Sequence, residues 1–363
     1  MMNQDLPFKL IANCIPVKGA KRSTICDLTR NDIKLIPNDL YNILIEHEGK
    51  SIQEIKEIYN NKYNEIINEY FDFLLKEEFI IFTDTPELFP KISLQWFEPK
   101  QITHAILDVG KNTNYDLYKA IKDLDDVGCK HLEVRFFKKV DFDGLKNIVE
   151  FIDSLESPIV SIDFTLPFHP NFEKEKILDF LSEHGRVCSL RIHGSPIKEF
   201  IPPIDKKSGY VIYSDQFIKN EKFCGVIDPS LFSINIKSFT ESQHYNSCLN
   251  RKTSVDVNGD IKNCPSMTQS FGNIQEISIK KAIKNKDYKK YWSINKDQID
   301  TCKDCEFRHI CTDCRAFIDN PDDIYTKPLK CGYDPYTNQW EKWYNNPLKE
   351  KTIVIYKLEE IFV

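Results

Sequence analysis

The residues with the clearest chemical purpose in this chain are thiols. Seven of its twelve cysteines fall in the last third, and they run Cys248, ten residues to Gly259, four more to Cys264, then Cys302-x2-Cys305-x5-Cys311-x2-Cys314, and finally Cys331. Two cysteines separated by two residues turn their sulfurs toward one centre, which is the spacing of metal ligands. Tetrahedral zinc and iron-sulfur clusters both take four thiolates, so the spacing by itself leaves both metals open. Either would supply folding energy to a stretch with little apolar sequence to bury.

The rest of the chain must position those thiols. With 363 residues, 41% of them hydrophobic, it is long enough for two or three domains with cores of their own. A net charge of -6, with lysines interleaved among acids, gives no basic footprint, so neither nucleic acid nor an anionic membrane is expected as a partner. No apolar run approaches the roughly 20 residues needed to span a bilayer, and MMNQDLPFKL lacks the basic start and apolar core of a signal peptide. A cytoplasmic location is therefore expected. In that reducing compartment clustered thiols read as metal ligands rather than disulfides. Cys14, Cys26, Cys129 and Cys188 read as small buried hydrophobes.

FKLIANCIPV, STICDLTR and DIKLI predict three short strands, after which Pro37 opens a helix with Leu40, Ile43 and Leu44 on one face. Ser51 caps a second helix, and Ile66, Ile67, Tyr70, Phe71 and Leu74 mark a third. This is a winged-helix order, expected over residues 1–85, and its acidic third helix argues against DNA. The proline-rich stretch 86–100 reads as a linker. From 101 to 243, HAILDV, HLEVRFF, PIVSIDFTL and VCSLRIHG recur about every 27 residues with helical patterns between them, as β/α units do. YVIYSD and FSINI supply two further strands. The expectation is an α/β fold with a six-unit partial barrel, its parallel sheet buried on both faces. Residues 244–345 would form the cysteine-rich domain and 346–363 a tail.

The interval pattern of the cysteines resembles the SPASM domain, the auxiliary-cluster domain of peptide-modifying radical SAM enzymes, with the Cys311 to Cys314 interval one residue shorter than is usual there. That resemblance implies iron-sulfur rather than zinc, as two [4Fe-4S] clusters. Position by position it assigns Cys302, Cys305, Cys311 and Cys331 to one cluster and Cys248, Cys264 and Cys314 to the other. The missing fourth ligand of the second would come from Cys224 or, as its rival, His244. Arg251, Lys252 and Lys262 would offset cluster charge. A partial barrel before a SPASM domain is the architecture of a radical SAM maturase, yet no C-x3-C-x2-C occurs. The loop after the first barrel strand, GKNTNYD at 110–116, holds no cysteine. In that family three thiolates there hold the cluster that cleaves S-adenosylmethionine, so no cleavage is expected.

NRKTSVDVNGDIKNCPSM, CKDCEFRHICTDCRAF and KCGYDPYTNQWEKW, together with ICDLTR and IPNDLYNIL upstream, resemble the SPASM-domain peptide maturases of grasp-with-spasm systems. The likeness implies a ribosomal precursor peptide as substrate and an ATP-grasp ligase as partner. The N-terminal element order resembles the RiPP recognition element, in which a leader peptide pairs with the third strand and lies on the third helix. Here that strand is Asp32, Ile33, Lys34, Leu35 and Ile36, and the helix face is Ile67, Tyr70, Phe71 and Leu74. Asp108, Glu133, Arg135, Asp163, Arg191 and His193 fall on or at the ends of barrel strands and form a polar set. No G-x-S-x-G elbow is present to support hydrolase chemistry. The function expected is a leader-binding component of peptide maturation. The alternatives are a redox enzyme acting on the precursor and a zinc-stabilised scaffold.

Overall fold

A computed structural model describes residues 5–362 apart from 171 and 207. Residues 1–4, at the start of the expected N-terminal domain, and residue 363, at the end of the tail, lie outside it. FKLIANCIPV forms two strands rather than one, β1 (Phe8–Leu10) and β2 (Cys14–Val17), because a turn intervenes in which the Cys14 N–H donates to the Ile11 carbonyl at 2.9 Å. β2, β3 (Ser23–Asp27) and β4 (Asp32–Ile36) form an antiparallel meander with β3 in the middle. Helices α1 (Asn38–Glu46), α2 (Ile52–Ile58) and α3 (Asn64–Lys76) follow, and β5 (Ile80–Phe82) returns to pair with β1. A reciprocal capping box starts α2: Ser51 Oγ accepts from the Glu54 N–H, and the Glu54 carboxylate accepts from the Ser51 N–H.

All five residues of β3 are buried, which an antiparallel strand achieves only when both faces are covered. One face, through Ile25, joins Phe8, Leu40, Leu44, Ile52 and Phe71 in the helical core. The other, through Cys26 and with its neighbours Val17 and Ile33, packs on Phe307, Cys311 and Cys331. The N-terminal sheet is thus a wall shared between its own domain and the cysteine-rich region.

In the middle of the chain the strands are β6 (His104–Val109), β7 (His131–Phe136), β8 (Ser161–Pro167) and β9 (Val187–His193). They are linked by α4 (Leu117–Asp126), α5 (Phe142–Ser154) and α6 (Lys174–Glu183). Asp116 and Asp141 cap α4 and α5 with their carboxylates. A hairpin strand β10 (Glu199–Ile201) precedes β11 (Tyr210–Ser214), and among the described residues no helix lies between β9 and β11. After the short α7 (Ile236–Ser242) come β12 (Lys252–Val255) and β13 (Ile261–Lys262). The sheet runs β10-β11-β9-β8-β7-β6-β12-β13; the six strands from β11 to β12 are parallel, and β10 and β13 pair antiparallel at its edges.

Two expectations fail here. FSINI is not a strand. Phe232 and Ile234 alternate because an irregular segment presses both against the Phe307 cluster, and Asn235 then caps α7 by accepting from the Ser238 N–H at 2.9 Å. The sixth parallel strand is β12, taken from within the cysteine-rich region, so the sheet crosses residue 243. Its residues Thr253 and Ser254 are fully buried and satisfied by the Tyr288 hydroxyl at 2.6 Å and the Lys262 carbonyl at 3.0 Å. Only one face of the sheet is apolar. Leu107, Val134, Phe164, Ile192 and Val211 meet the helices, which all lie on one side because same-handed crossovers carry them there. The opposite face is polar. Strand register sets Asp108, Arg135, Thr165 and Arg191 in one row and Ile106, Glu133, Asp163 and Ser189 in the next.

Candidate metal centres

Cys302, Cys305, Cys311 and Cys331 line a single cavity, together with Lys296 and Phe307. Short turns bring them there. A 3-10 turn over Cys302–Asp304 closes with the Cys305 N–H donating to the Cys302 carbonyl at 3.0 Å. The next turn brings the Cys311 N–H to the Phe307 carbonyl at 3.0 Å. Burial pushes the Cys302 thiol up to about 12 and raises Cys305 and Cys311 as well, with neighbouring sulfurs adding to the rise. Sulfurs so placed become thiolates when a cation is among them. Lys296, itself buried, aims its Nζ at Cys311 Sγ at 3.2 Å.

The N-terminal sheet closes this cage from outside. Arg22 Nε donates to Glu306 Oε1 at 2.7 Å, the Tyr333 hydroxyl donates to the same oxygen at 2.5 Å, and Thr24 Oγ1 donates to the Glu306 carbonyl at 3.1 Å. The Ala20 N–H reaches the Asp304 carbonyl at 2.8 Å. At Gly19 a Cβ would stand 2.4 Å from the Arg22 carbonyl oxygen and 2.9 Å from Glu306, so this turn docks only without a side chain.

Cys248, Cys264, Cys314 and Cys224 form a second group. Cys264 and Cys314 are raised to about 12, by burial first; Cys224, Cys248 and Cys314 add to the rise of the former, and Cys248 and Cys224 to that of the latter. Gly225 is left-handed, at φ 83°, and a Cβ on it would lie 2.7 Å from Cys314 Sγ, which fixes how closely the Cys224 segment approaches. Lys330, fully buried, donates to the Cys224 carbonyl at 2.8 Å and to the Lys222 carbonyl; burial lowers its ammonium to about 8. His244 is exposed, its ring beside Tyr245, and is not brought into this group. Of the cations expected to offset charge, Lys252 meets Cys248 Sγ at 3.2 Å, whereas Lys262 pairs with Asp256 at 2.7 Å and Arg251 lies over the Trp96 ring. The two groups are tied by Asn246 Oδ1, which accepts from the Cys248 N–H at 3.0 Å while its Nδ2 reaches Asp313, and by Ser247 Oγ, which donates to the Cys311 carbonyl at 3.2 Å.

The donor sets fit thiolate-bound metal clusters: four sulfurs each, with one lysine ammonium donated to each set; all are buried or half-buried except Cys224, which is exposed. Among the described residues no three or more His, Cys, Asp or Glu side chains are grouped to hold a single metal ion. Sequence reasoning missed Lys296 and Lys330, because a lysine in a charged stretch reads as surface. Cys14, Cys26 and Cys129 are buried, and Cys188 half-buried.

The other expected site residues divide. β4 is bonded to β3, and among the described residues no strand pairs with its outer edge. Leu35 is 47% exposed there, while Lys34 bonds ionically to Asp32 and Glu77, and Ile33 and Ile36 are turned into the two cores. Ile67, Phe71 and Leu74 belong to the helical core, which an amphipathic helix must fill first; Tyr70 is half-buried. On the polar sheet face Arg135 holds Asp108 with two bonds of 2.7 Å, Thr165 donates to Glu133 at 3.2 Å, and Ser189 donates to Asp163. Burial raises the Asp108 carboxyl to about 6 against the pull of Arg135, which leaves the pair ionised at neutral pH. His193 accepts from the Ile218 N–H at 3.2 Å, and Arg191 is exposed. Loop 110–116 is tethered at two points: the buried Tyr115 donates to the Asp108 carbonyl at 2.9 Å, and Thr113 Oγ1 donates to the Val257 carbonyl at 2.9 Å.

Residues 247–306 match the SPASM iron-sulfur cluster-binding domain. That stretch contains Cys248, Cys264, Cys302 and Cys305. No curated protein matches the chain. Among solved structures, that of Streptococcus suis SuiB bound to S-adenosylmethionine is similar over 86% of this chain and 95% of that one, at 10% identity and a TM-score of 0.30, a likeness too low to carry a functional argument. No helix among the described residues is long and apolar enough to cross a membrane.

Proposed function

We propose that this protein is a component of ribosomal peptide maturation. It holds the leader of a precursor on its N-terminal domain, carries two [4Fe-4S] clusters and acts beside an ATP-grasp ligase. The observation that carries the reading is the grouping of eight thiols into two sets around the segment that matches an iron-sulfur cluster-binding domain. Cys302, Cys305, Cys311 and Cys331 would hold one cluster, and Cys248, Cys264, Cys314 and Cys224 the other. Such clusters, when bound, carry single electrons and cross-link the chain. The chain's own residues set their surroundings: Lys296 and Lys252 donate to one sulfur in each set, and aromatic side chains keep water from the first.

The N-terminal domain is read as a winged helix whose β4 edge offers main-chain donors and acceptors to an added strand. No cleavage of S-adenosylmethionine is proposed, since loop 110–116 has no thiol.

The experiment is the binding of short peptides encoded beside the gene to the full anaerobic protein, measured by fluorescence anisotropy. Removing residues 1–85 would strip the first cage of its wall, so single prolines at Lys34 and at Leu35 are the cleaner probes. A precursor that binds the parent protein and is lost with one or other proline, while far-UV circular dichroism is unchanged, is the expected result. Binding that survives both prolines excludes the β4 edge.

A further inference from the structure

Between α1 and α3 lies a cleft whose walls are Asp39, Asn42, Tyr59, Tyr63, Ile66 and Tyr70, with Ile43 and Ile67 also lining it. Asp39, at its rim, stands three residues after β4 ends. The cleft's apolar surface is open: Tyr63 is 53% exposed and Ile66 is 45% exposed, although the core side of the same helix is closed. One carboxylate, Asp39, lines the cleft, and Glu46 and Glu69 stand outside its lining. Asp39 and Glu69 act on Tyr70, Asp39 and Glu46 act on Tyr59, and among the described residues none of these three carboxylates has a salt-bridge partner. Lys62 is the neighbour of Tyr63 in sequence but does not line the cleft.

We propose that this cleft takes a basic side chain, Lys or Arg, set beside an aliphatic or aromatic one, from the same peptide segment that pairs with β4. The inference rests on the leader-binding reading and gives it a chemical preference. The apolar side chain lies on Tyr63, Ile66 and Tyr70, where its burial supplies affinity. The cation faces Asp39, with Glu69 adding a more distant attraction, and tyrosine faces add a cation–π attraction that an acidic peptide could not obtain. A precursor rich in acids at this point would be rejected by the same rim.

A library of displayed random linear peptides, selected against the anaerobically purified full chain, tests this. Lys or Arg next to Leu, Ile, Phe, Tyr or Trp is expected to be enriched. The double variant Asp39→Lys/Glu69→Lys changes exposed residues and should keep its circular dichroism and visible absorption. It should bind the enriched peptides about tenfold more weakly, since two exposed charge contacts become repulsive. Enriched peptides that are neutral or acidic, or that bind the charge-reversed variant equally well, overturn the inference. If they are nonetheless lost with a proline at Lys34 or Leu35, the leader reading stands and only the cleft's preference falls. If no peptide is enriched, or binding ignores both the prolines and Tyr63→Ser/Ile66→Ser, both fall.

Discussion

The two cysteine cages are built from similar parts but differ in what encloses them. The first takes its thiols from a compact run and its outer wall from a distant element, the N-terminal sheet, whose Val17, Cys26 and Ile33 share a core with Phe307, Cys311 and Cys331. The second takes its thiols from four separate positions, Cys224, Cys248, Cys264 and Cys314, and is flanked by the last residues described. Leu249, Cys264 and Cys314 pack with Trp343, Ile353 and Leu358. Cys248 and Cys264 also flank the hairpin β12–β13 that extends the parallel sheet. Metal bound in the first cage would therefore support the N-terminal domain, whereas metal in the second would support the large sheet and the tail.

That contrast can be broken first by removing ligands. Cys302→Ser/Cys311→Ser should lose about four iron atoms and expose the N-terminal sheet, because structural metal sites contribute on the order of 10 kcal/mol to folding. Hydrogen exchange over 14–36 would report it. Cys248→Ser/Cys264→Ser should lose a similar amount of iron, yet raise exchange at β12, β13 and the tail while β2 to β4 stay protected. Equal loss of protection at both places in either variant would show that the cages are not separate supports.

A smaller effect comes from the shared core. Phe307 packs against Phe232 and Tyr333 with centroids 5.2 Å away in each case and beneath the Arg22 guanidinium. Phe307→Ala should cost about 3–5 kcal/mol, read by chemical denaturation, and the loss should appear in the N-terminal domain and the first cage together. The smallest change separates the rivals for the second cage. Cys224→Ser should alter the electron paramagnetic resonance signal of one cluster while His244→Ala leaves the spectrum of the parent. The reverse result would move the fourth ligand to His244.

How much of this could be read from the sequence depended on whether the cause was local. The short C-x2-C intervals imposed closeness on their own, and the β/α period gave four of the six parallel strands, with the apolar run YVIYSD a fifth. β12 was hidden because Lys252, Thr253 and Ser254 look like surface until a sheet edge and Tyr288 bury them. FSINI looked like a strand because Phe232 and Ile234 alternate, but they alternate toward another domain's aromatic cluster. On α3 the helical period marked the face of Ile67, Phe71 and Leu74 without saying that the domain itself would bury it. The exposed Tyr63 and Ile66 lie off that face. Lys296 left no signal, since its partner Cys311 is fifteen residues away.

The central claim is that eight thiols hold two iron-sulfur clusters. Its most direct test is the metal and sulfide content of protein purified without oxygen. The account predicts a brown protein with about eight iron and about eight acid-labile sulfide per chain, and absorption that dithionite bleaches. A colourless protein carrying zinc and no sulfide would contradict it.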